Sequence, residues 1–149
     1  MMNAFELLKT DHEKVSGIFE RIEATDDDRA RQTLFAQVKS ELEMHTHIEE
    51  TIFYPALRQA AETREIVIEA IEEHQEVKDL LAEIEGLSTD SDEWSDKVTE
   101  LKEAVEHHVE EEEGEMFDKA RDVLSPQQIN ELGERMAAEK QPKKTAIAS

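Results

Sequence analysis

The chain has 149 residues and contains no cysteine, which excludes disulfide scaffolds, thiolate zinc sites, cysteine-ligated iron–sulfur clusters and cysteine nucleophiles. With only 4 Gly and 3 Pro against 37% charged residues, its composition is typical of long helices. A formal charge of -21 opposes contact with nucleic acid or anionic membranes, and no apolar stretch approaches the roughly 18 residues of a membrane span. We therefore expect one helical domain in the cytoplasm, in the simplest case a monomer, with no nucleic-acid or membrane partner.

Turn signals divide the chain into four long stretches with helical periodicity. The first turn lies at residues 26–28, the second follows Pro55 at residues 59–64, and the third covers residues 86–92. Short connections between helices favour antiparallel neighbours. The sequence therefore predicts an all-α fold, an up-down-up-down four-helix bundle.

A last segment opens with Ser125-Pro126, which combines a helix-capping residue with a proline at the first helical position. This pair predicts a short fifth C-terminal helix against the end of the bundle. We expect the bundle to span residues 1–138. Residues 139–149 have no apolar periodicity and are expected to form a flexible tail.

Each of the four stretches has a heptad-like apolar stripe, and each stripe contains polar residues where a hydrophobic one is expected. These residues are His12 in the first stretch, His45 and Glu49 in the second, His74 in the third, and His108 and Glu112 in the fourth. Counted from the turns of an antiparallel bundle, all of them fall at one level within about one helical turn.

The two halves of the chain also resemble each other. The segment around His12 aligns with the segment around His74 at an offset of 62 residues, and residues 45–49 align with residues 108–112 at an offset of 63. Such a repeat indicates two copies of a helical hairpin. Paired hairpins would place two equivalent sets of ligands around one centre, as a dinuclear metal site requires.

Glutamates on an apolar stripe point to a metal, because ionised carboxylates are almost never fully buried unless they are paired or coordinated. The His-x-x-x-Glu spacing places both side chains on one face of a helix. Four histidines and two glutamates suit two cations that share two bridging carboxylates, with an oxo or hydroxo bridge to offset the remaining positive charge. This donor set suits iron, with manganese and zinc as weaker alternatives.

Two further histidines lie off the stripes. His107 is rotated about 100° from His108, and His47 about 200° from His45, so both are expected to be solvated or to make only outer contacts. The ferritin-type motif Glu-x-x-His is absent, since no residue three positions before a histidine is acidic. A zincin motif fails because His12 has no second histidine four residues on.

Tyr54, the only tyrosine, lies between the ligands of the second stretch and Pro55. On an ideal helix it is about 140° from Glu49, which predicts an amphipathic residue at the end of the bundle. A phenolate is nevertheless a good ferric ligand. Tyr54 would therefore become an extra ligand, or a close neighbour of the ligands, if Pro55 distorted this last turn.

The order and spacing of these residues resemble the hemerythrin HHE cation-binding domain family over roughly residues 4–138. The resemblance implies a four-helix bundle with a non-haem di-iron centre, and it assigns the metal to His12, His45, Glu49, His74, His108 and Glu112. The sequence differs from oxygen-carrying hemerythrins at Lys78, where those proteins have a second histidine on the third helix. Asp118, where the first repeat has Pro55, is a smaller difference.

Several functions are compatible with such a centre. The first hypothesis is a redox-active di-iron protein that binds oxygen or nitric oxide, or that decomposes hydrogen peroxide with a catalase-like or peroxidase-type activity. The second is a sensing or binding module in which iron occupancy or oxidation changes a partner contact. A third, delivery of iron to damaged iron–sulfur centres, is suggested by family members that usually add a cysteine-containing module. A purely structural metal is a fourth.

Overall fold

The computed structural model describes residues 2–141, and no β-strand occurs within that range. The helices are α1 (Ala4–Glu23), α2 (Asp28–Ile48), α3 (Tyr54–Arg58), α4 (Ala61–Glu85), α5 (Asp92–Glu111), α6 (Phe117–Val123) and α7 (Pro126–Lys140). Two five-residue π-helical turns, Glu49–Phe53 and Glu112–Met116, join α2 to α3 and α5 to α6 without a break in the helical course.

The predicted all-α bundle with a fifth C-terminal helix is confirmed. Four rods form it, namely α1, α2 with α3, α4, and α5 with α6. The last helix continues to Lys140, two residues beyond the expected boundary at residue 138, and residues 142–149 of the expected tail lie outside the described part of the chain. Within residues 2–141, no helix combines the length and the apolarity that crossing a bilayer would require.

Side-chain caps begin four of the helices, three of them at the turn and cap positions that the sequence predicted and one at Asn3. The Asn3, Asp27, Ser91 and Ser125 side chains each accept a hydrogen bond from a backbone N–H in the first helical turn, at 2.8–3.1 Å. These bonds satisfy amides that a helix start otherwise leaves unpaired, and each contributes about 1 kcal/mol. The caps therefore fix where three of the four rods and α7 begin, whereas α4 begins after Ala60 without a side-chain cap.

The C-terminal helix packs very closely on the start of α1. A side chain carbon at Gly133 would lie 2.5 Å from the Met2 carbonyl oxygen, so only glycine permits this approach. Near its end, α7 also places the Lys140 ammonium against the buried Asp11 carboxylate of α1. The helix thereby closes one end of the bundle and reaches the polar layer described next.

Two apolar blocks make up the core. The α7-side block contains Phe5, Phe53, Phe117 and Met136, and the turn-side block contains Phe19, Phe35, Trp94 and Leu101. The buried polar side chains are Asp11, His12, His45, Thr46, Glu49, Thr63, His74, His108 and Glu112. Most of these lie in a layer between the two blocks, where the four long rods cross the middle of the bundle.

Candidate metal centre

The six polar residues predicted from the stripes converge in this layer. Glu49 is fully buried and Glu112 is 1% exposed, and the four imidazoles are equally inaccessible. The Nε2 atoms of His12 and His45 are 3.2 Å apart, and those of His74 and His108 are also 3.2 Å apart. The repeat in the sequence therefore corresponds to two histidine pairs.

The two glutamates connect the histidine pairs. Glu112 Oε1 lies 3.0 Å from His12 Nε2, while its Oε2 lies 3.4 Å from His108 Nε2. Glu49 Oε1 lies 3.3 Å from His45 Nε2 and 3.0 Å from His74 Nε2. Each carboxylate therefore contacts one ring of each pair, which is the geometry that bridging ligands need.

These contacts define two sets of donor atoms with a shared member. One set consists of His12, His45, Glu49 and Glu112, and the other consists of Glu49, His74 and His108. Within each set the donor atoms lie within 4.8 Å of one another. Imidazole nitrogen and carboxylate oxygen at such spacing suit a transition-metal ion such as iron.

A ring of outer carboxylates, which the sequence analysis missed, holds the imidazoles from behind. The Nδ1 contacts are His12 with Glu113 at 2.6 Å, His45 with Asp11 at 3.0 Å, His74 with Glu50 at 2.7 Å, and His108 with Glu73 at 2.6 Å. Because a carboxylate only accepts, each Nδ1–H donates, and a neutral ring directs its Nε2 lone pair inward. This arrangement is typical of metal-binding histidines.

The sequence did contain a signal for this ring. Asp11 and Glu73 each precede a predicted histidine ligand, and Glu50 and Glu113 each follow a predicted glutamate ligand. The members of each pair are also equivalent under the internal repeat. Adjacent residues on a helix point about 100° apart, however, so a search along the stripes alone passes over them.

Two buried oxygens support the fit to cations. Glu49 Oε2 accepts no hydrogen bond among residues 2–141, and Glu112 Oε1 accepts none unless the His12 Nε2 atom, 3.0 Å away, carries a proton. An unpaired buried carboxylate oxygen is costly, and neutral imidazoles that keep their proton on Nδ1 have none to donate from Nε2. Converging lone pairs of nitrogen and oxygen are stabilised when a cation lies between them, so the residues present fit a metal.

In the metal-free protein, bound protons offset the repulsion between these lone pairs. Burial lowers the pKa of His45, but Glu49 and Asp11 outweigh burial and raise it to about 10. Burial likewise raises the pKa of Glu49, yet the nearby His45 imidazolium holds it well below its usual value. The layer thus favours positive charge at its centre, and a metal would replace the protons there.

The prediction from ideal helix geometry that Tyr54 lies away from the ligands is wrong. Its side chain is fully buried, and its hydroxyl donates to Glu112 Oε2 at 2.9 Å and lies 3.2 Å from His74 Nε2. Burial and the Glu112 carboxylate raise the pKa of Tyr54 well above its usual value, so the protein alone holds a neutral phenol.

The π-helical turn explains the position of Tyr54. The Tyr54 N–H donates to the carbonyl of Glu49, five residues back, rather than to the residue four back. A turn closed in this way contains one residue more than an α-helical turn, so Tyr54 lies on the same side of the rod as Glu49. Pro55, the distortion anticipated from sequence, follows directly in the first turn of α3.

The remaining histidines lie outside the layer, as expected. The His47 side chain is 49% exposed and contacts Glu139, and the His107 side chain is 64% exposed and contacts Glu111 at 3.1 Å. Lys78, which stands where oxygen carriers have a histidine, places its Nζ 3.3 Å from Glu50. It therefore pairs with the outer ring and supplies no inward nitrogen.

A small, partly enclosed cavity of about 20 Å³ adjoins the four imidazoles on the turn side of the layer. Its walls are mainly apolar and are formed by Val15, Leu42, Val77, Val105 and Val109. This volume holds about one water-sized molecule. The cavity therefore provides a dry space next to the metal-binding donors.

Comparison with known proteins places this geometry in context. A family model described as the hemerythrin HHE cation binding domain matches residues 3–120. A crystal structure of an HHE cation binding domain-containing protein from Mycobacterium kansasii, a homolog of Rv2633c, superimposes with a TM-score of 0.82 at 31% identity, covering 93% of this chain and 85% of that one.

Curated sequences add two relatives. The uncharacterized protein Rv2633c of Mycobacterium tuberculosis is 29% identical over 139 residues, which cover 92% of this chain and 84% of that protein. A protein of Nostoc sp. named DNA nickase is 30% identical over 142 residues, covering 93% of this chain. The match spans only 39% of the length of the Nostoc protein.

Proposed function

Since the chain belongs to the hemerythrin HHE cation-binding domain family, whose members bind metal, we propose that it holds two iron ions with an oxo or hydroxo bridge. The proposed ligands are His12, His45, Glu49, His74, His108 and Glu112, with Tyr54 as an extra ligand to the second histidine pair. The observation that carries the proposal is the convergence of four imidazole Nε2 atoms on two buried carboxylates.

We propose further that the centre binds or reacts with a small oxidant or diatomic molecule, namely oxygen, nitric oxide or hydrogen peroxide. Support comes from the small size of the cavity beside the imidazoles, about 20 Å³, which favours ligands of very few atoms. Bound iron would supply an open coordination position and a change of oxidation state. The valine walls exclude water from this space, and the outer carboxylates keep the imidazoles oriented.

Tyr54 gives the second histidine pair a distinct role in this proposal. Its phenol donates a hydrogen bond to Glu112 Oε2 at 2.9 Å, and it would release that proton to solvent if the oxygen bound a cation. With Lys78 turned to Glu50, the second pair lacks the additional imidazole of the oxygen carriers. The Tyr54 oxygen would take the place of that imidazole nitrogen, and a phenolate oxygen favours ferric iron. A ferric centre is suited to reaction with peroxide rather than to reversible oxygen storage.

The test combines metal content with turnover. Iron-loaded protein is analysed for bound iron, for its absorption spectrum and for peroxide decomposition, and His74→Ala is compared with His107→Ala. His74→Ala should lose iron and at least about tenfold of the turnover, because a ligand is gone. His107→Ala removes a neighbouring but exposed imidazole and should match the parent protein. Equal turnover in the parent protein and His74→Ala would rule out catalysis at this site.

We propose no DNA substrate for this chain, although the relative from Nostoc sp. is named DNA nickase. The formal charge of -21 repels a phosphate backbone, and this chain corresponds to 39% of that protein. A gel-shift assay with duplex DNA at low salt should therefore give no complex. A complex that dissolves with increasing salt would contradict this expectation.

A further inference from the structure

A surface groove of about 520 Å³ runs between α1 and α5, directly outside His12. Four side chains line both this groove and the small internal cavity, namely His12, Val15, Val105 and Val109. Only these side chains therefore separate the groove from the space beside the imidazoles. Val77 and Leu42 also line the cavity, but they have no part in the groove.

Among the valines of the partition, Val109 is the most exposed. Val15 is 4% exposed and Val105 is 8% exposed, whereas Val109 is only partly buried where it packs against the turn-side block. The Val109 isopropyl group makes no hydrogen bond that a passing molecule would have to break, although a valine in a helix strongly prefers one χ1 rotamer. The groove thus meets the cavity at a partition that is mostly apolar and that is most accessible from the groove at Val109.

The mouth of the groove carries negative charge. Glu106, Glu110 and Glu113 line it, together with the single cation Lys102 among its described residues. The Lys102 ammonium is already paired with Glu23 at 2.7 Å. An anion approaching this mouth meets like charge first and then the three valines of the partition, while a neutral molecule is not repelled by the glutamates.

We infer that small neutral molecules enter the centre from this groove between Val105 and Val109, and that the glutamates at its mouth slow the entry of anions. The inference rests on the proposed function and names its ligand class, neutral diatomics and hydrogen peroxide. Val109 then sets the size of the opening, and Glu106 and Glu110 set the discrimination by charge.

The size effect is tested with Val109→Ala and its matched control Val77→Ala. Both variants enlarge the cavity by removing the same two methyl groups, but only Val109→Ala also removes part of the wall that separates the cavity from the groove. For nitric oxide binding to iron-loaded protein in stopped flow, Val109→Ala should raise the association rate about tenfold, equivalent to about 1.4 kcal/mol of barrier. Val77→Ala, which enlarges the cavity but leaves the wall to the groove intact, should raise the rate much less. Equal rates in the two variants would overturn the route.

The charge effect is tested with azide as the anionic probe. Glu106→Gln combined with Glu110→Gln should accelerate azide association roughly threefold at low salt and leave the nitric oxide rate unchanged. At about 1 M salt, where the screening length falls to about 3 Å, the difference should vanish. The control is the exposed Glu65→Gln on α4, away from the groove. An equal acceleration by Glu65→Gln, or none by the groove variants, would overturn the role of the mouth.

A measurement on metal-free protein separates this inference from the proposed function. Xenon enters dry apolar cavities, and the room left by the two deleted methyl groups in each variant allows its exchange to be measured by xenon NMR without any iron. Exchange should be faster in Val109→Ala than in Val77→Ala. Failure of iron loading in the parent protein would remove the proposed function alone, whereas identical xenon exchange in both variants would remove the route.

Discussion

The two histidine pairs of the layer are closely similar, and they differ in one oxygen atom. In each pair, both rings contact an outer carboxylate and a buried glutamate. Tyr54 adds a hydroxyl to the His74–His108 pair. The internal repeat places Phe117 at the equivalent position for the other pair, and a phenyl ring has no donor atom. Two ions held here would therefore differ in their oxygen ligands.

The two aromatic residues share their backbone setting. Tyr54 and Phe117 each donate a backbone N–H to the buried glutamate five residues back, and both rings are fully buried. Phe117 packs on Phe5 with ring centroids 4.5 Å apart, and Tyr54 stacks on the His74 ring at 5.3 Å. The same π-helical turn thus serves packing in one half and adds a polar atom to the layer in the other.

Removing a ligand that both histidine pairs share should reduce the iron content more than any other substitution. Glu49 belongs to both donor sets, so Glu49→Ala should abolish almost all iron binding, whereas His12→Ala and His74→Ala should each impair mainly their own half. Elemental analysis of the three variants measures this. Retention of the full iron content by Glu49→Ala would show that the halves bind metal independently.

Without metal, the layer should make stability depend on pH. His45 faces Asp11 and His12 on α1, its own Glu49, and Glu112, and its pKa is raised to about 10. Because the folded-state pKa exceeds the unfolded value near 6.5, the stabilisation is fully present below about pH 6.5 and is lost as the pH rises through 10. Urea unfolding of chelator-treated protein should show a loss of a few kcal/mol across this window.

His45→Ala tests the origin of this dependence. The variant should flatten the decline between pH 6.5 and 10, while the exposed His47→Ala should keep it. The His108 pKa is also raised well above its usual value, with Glu112, Glu49 and Glu73 outweighing burial, so His108→Ala should flatten the decline as well. A decline that persists in both buried-histidine variants would contradict the assignment.

Neutralising one outer carboxylate should weaken iron binding less than removing a ligand does, and by the same factor in both halves of the layer. Asp11→Asn and Glu73→Gln are equivalent under the repeat, and each removes the charge that orients one imidazole. Each should weaken iron binding about 10- to 100-fold, as measured by chelator competition. Glu69→Gln, an exposed change one turn from Glu73, is the control. Unequal losses in Asp11→Asn and Glu73→Gln would mean that Lys140, beside Asp11, matters as much as the carboxylate.

Replacing Tyr54 should change the iron content less than replacing a ligand or an outer carboxylate does, and it should change the absorption spectrum most clearly. Tyr54→Phe makes the two halves alike, so iron-loaded protein should retain its iron. It should lose any long-wavelength charge-transfer band of a phenolate ligand. An identical spectrum in Tyr54→Phe would show that the hydroxyl does not bind the metal and serves Glu112 alone.

The sequence predicted the six inward residues because they interrupt regular stripes, and regular helices bring such residues to one height. It placed Tyr54 wrongly because the angle between Tyr54 and Glu49 was calculated for an ideal α-helix, with 100° per residue. The π-helical turn at Glu49–Phe53 contains an extra residue and therefore changes that angle. A search that assumes ideal α-helices cannot find hydrogen bonds to the fifth residue, because such turns are rare and occur singly inside α-helices. The entry groove also depends on two helices that are distant in sequence, α1 and α5.

Helices ordinarily exchange their amide protons fastest at their ends, where backbone hydrogen bonds fray. In this bundle the polar layer divides the apolar core in two, so each long rod is held by hydrophobic contacts on both sides of its middle and by charged groups within it. Chelation should therefore expose amides near the centre of the rods first. Deuterium uptake would then begin inside the molecule and spread outward, in the reverse of the usual order.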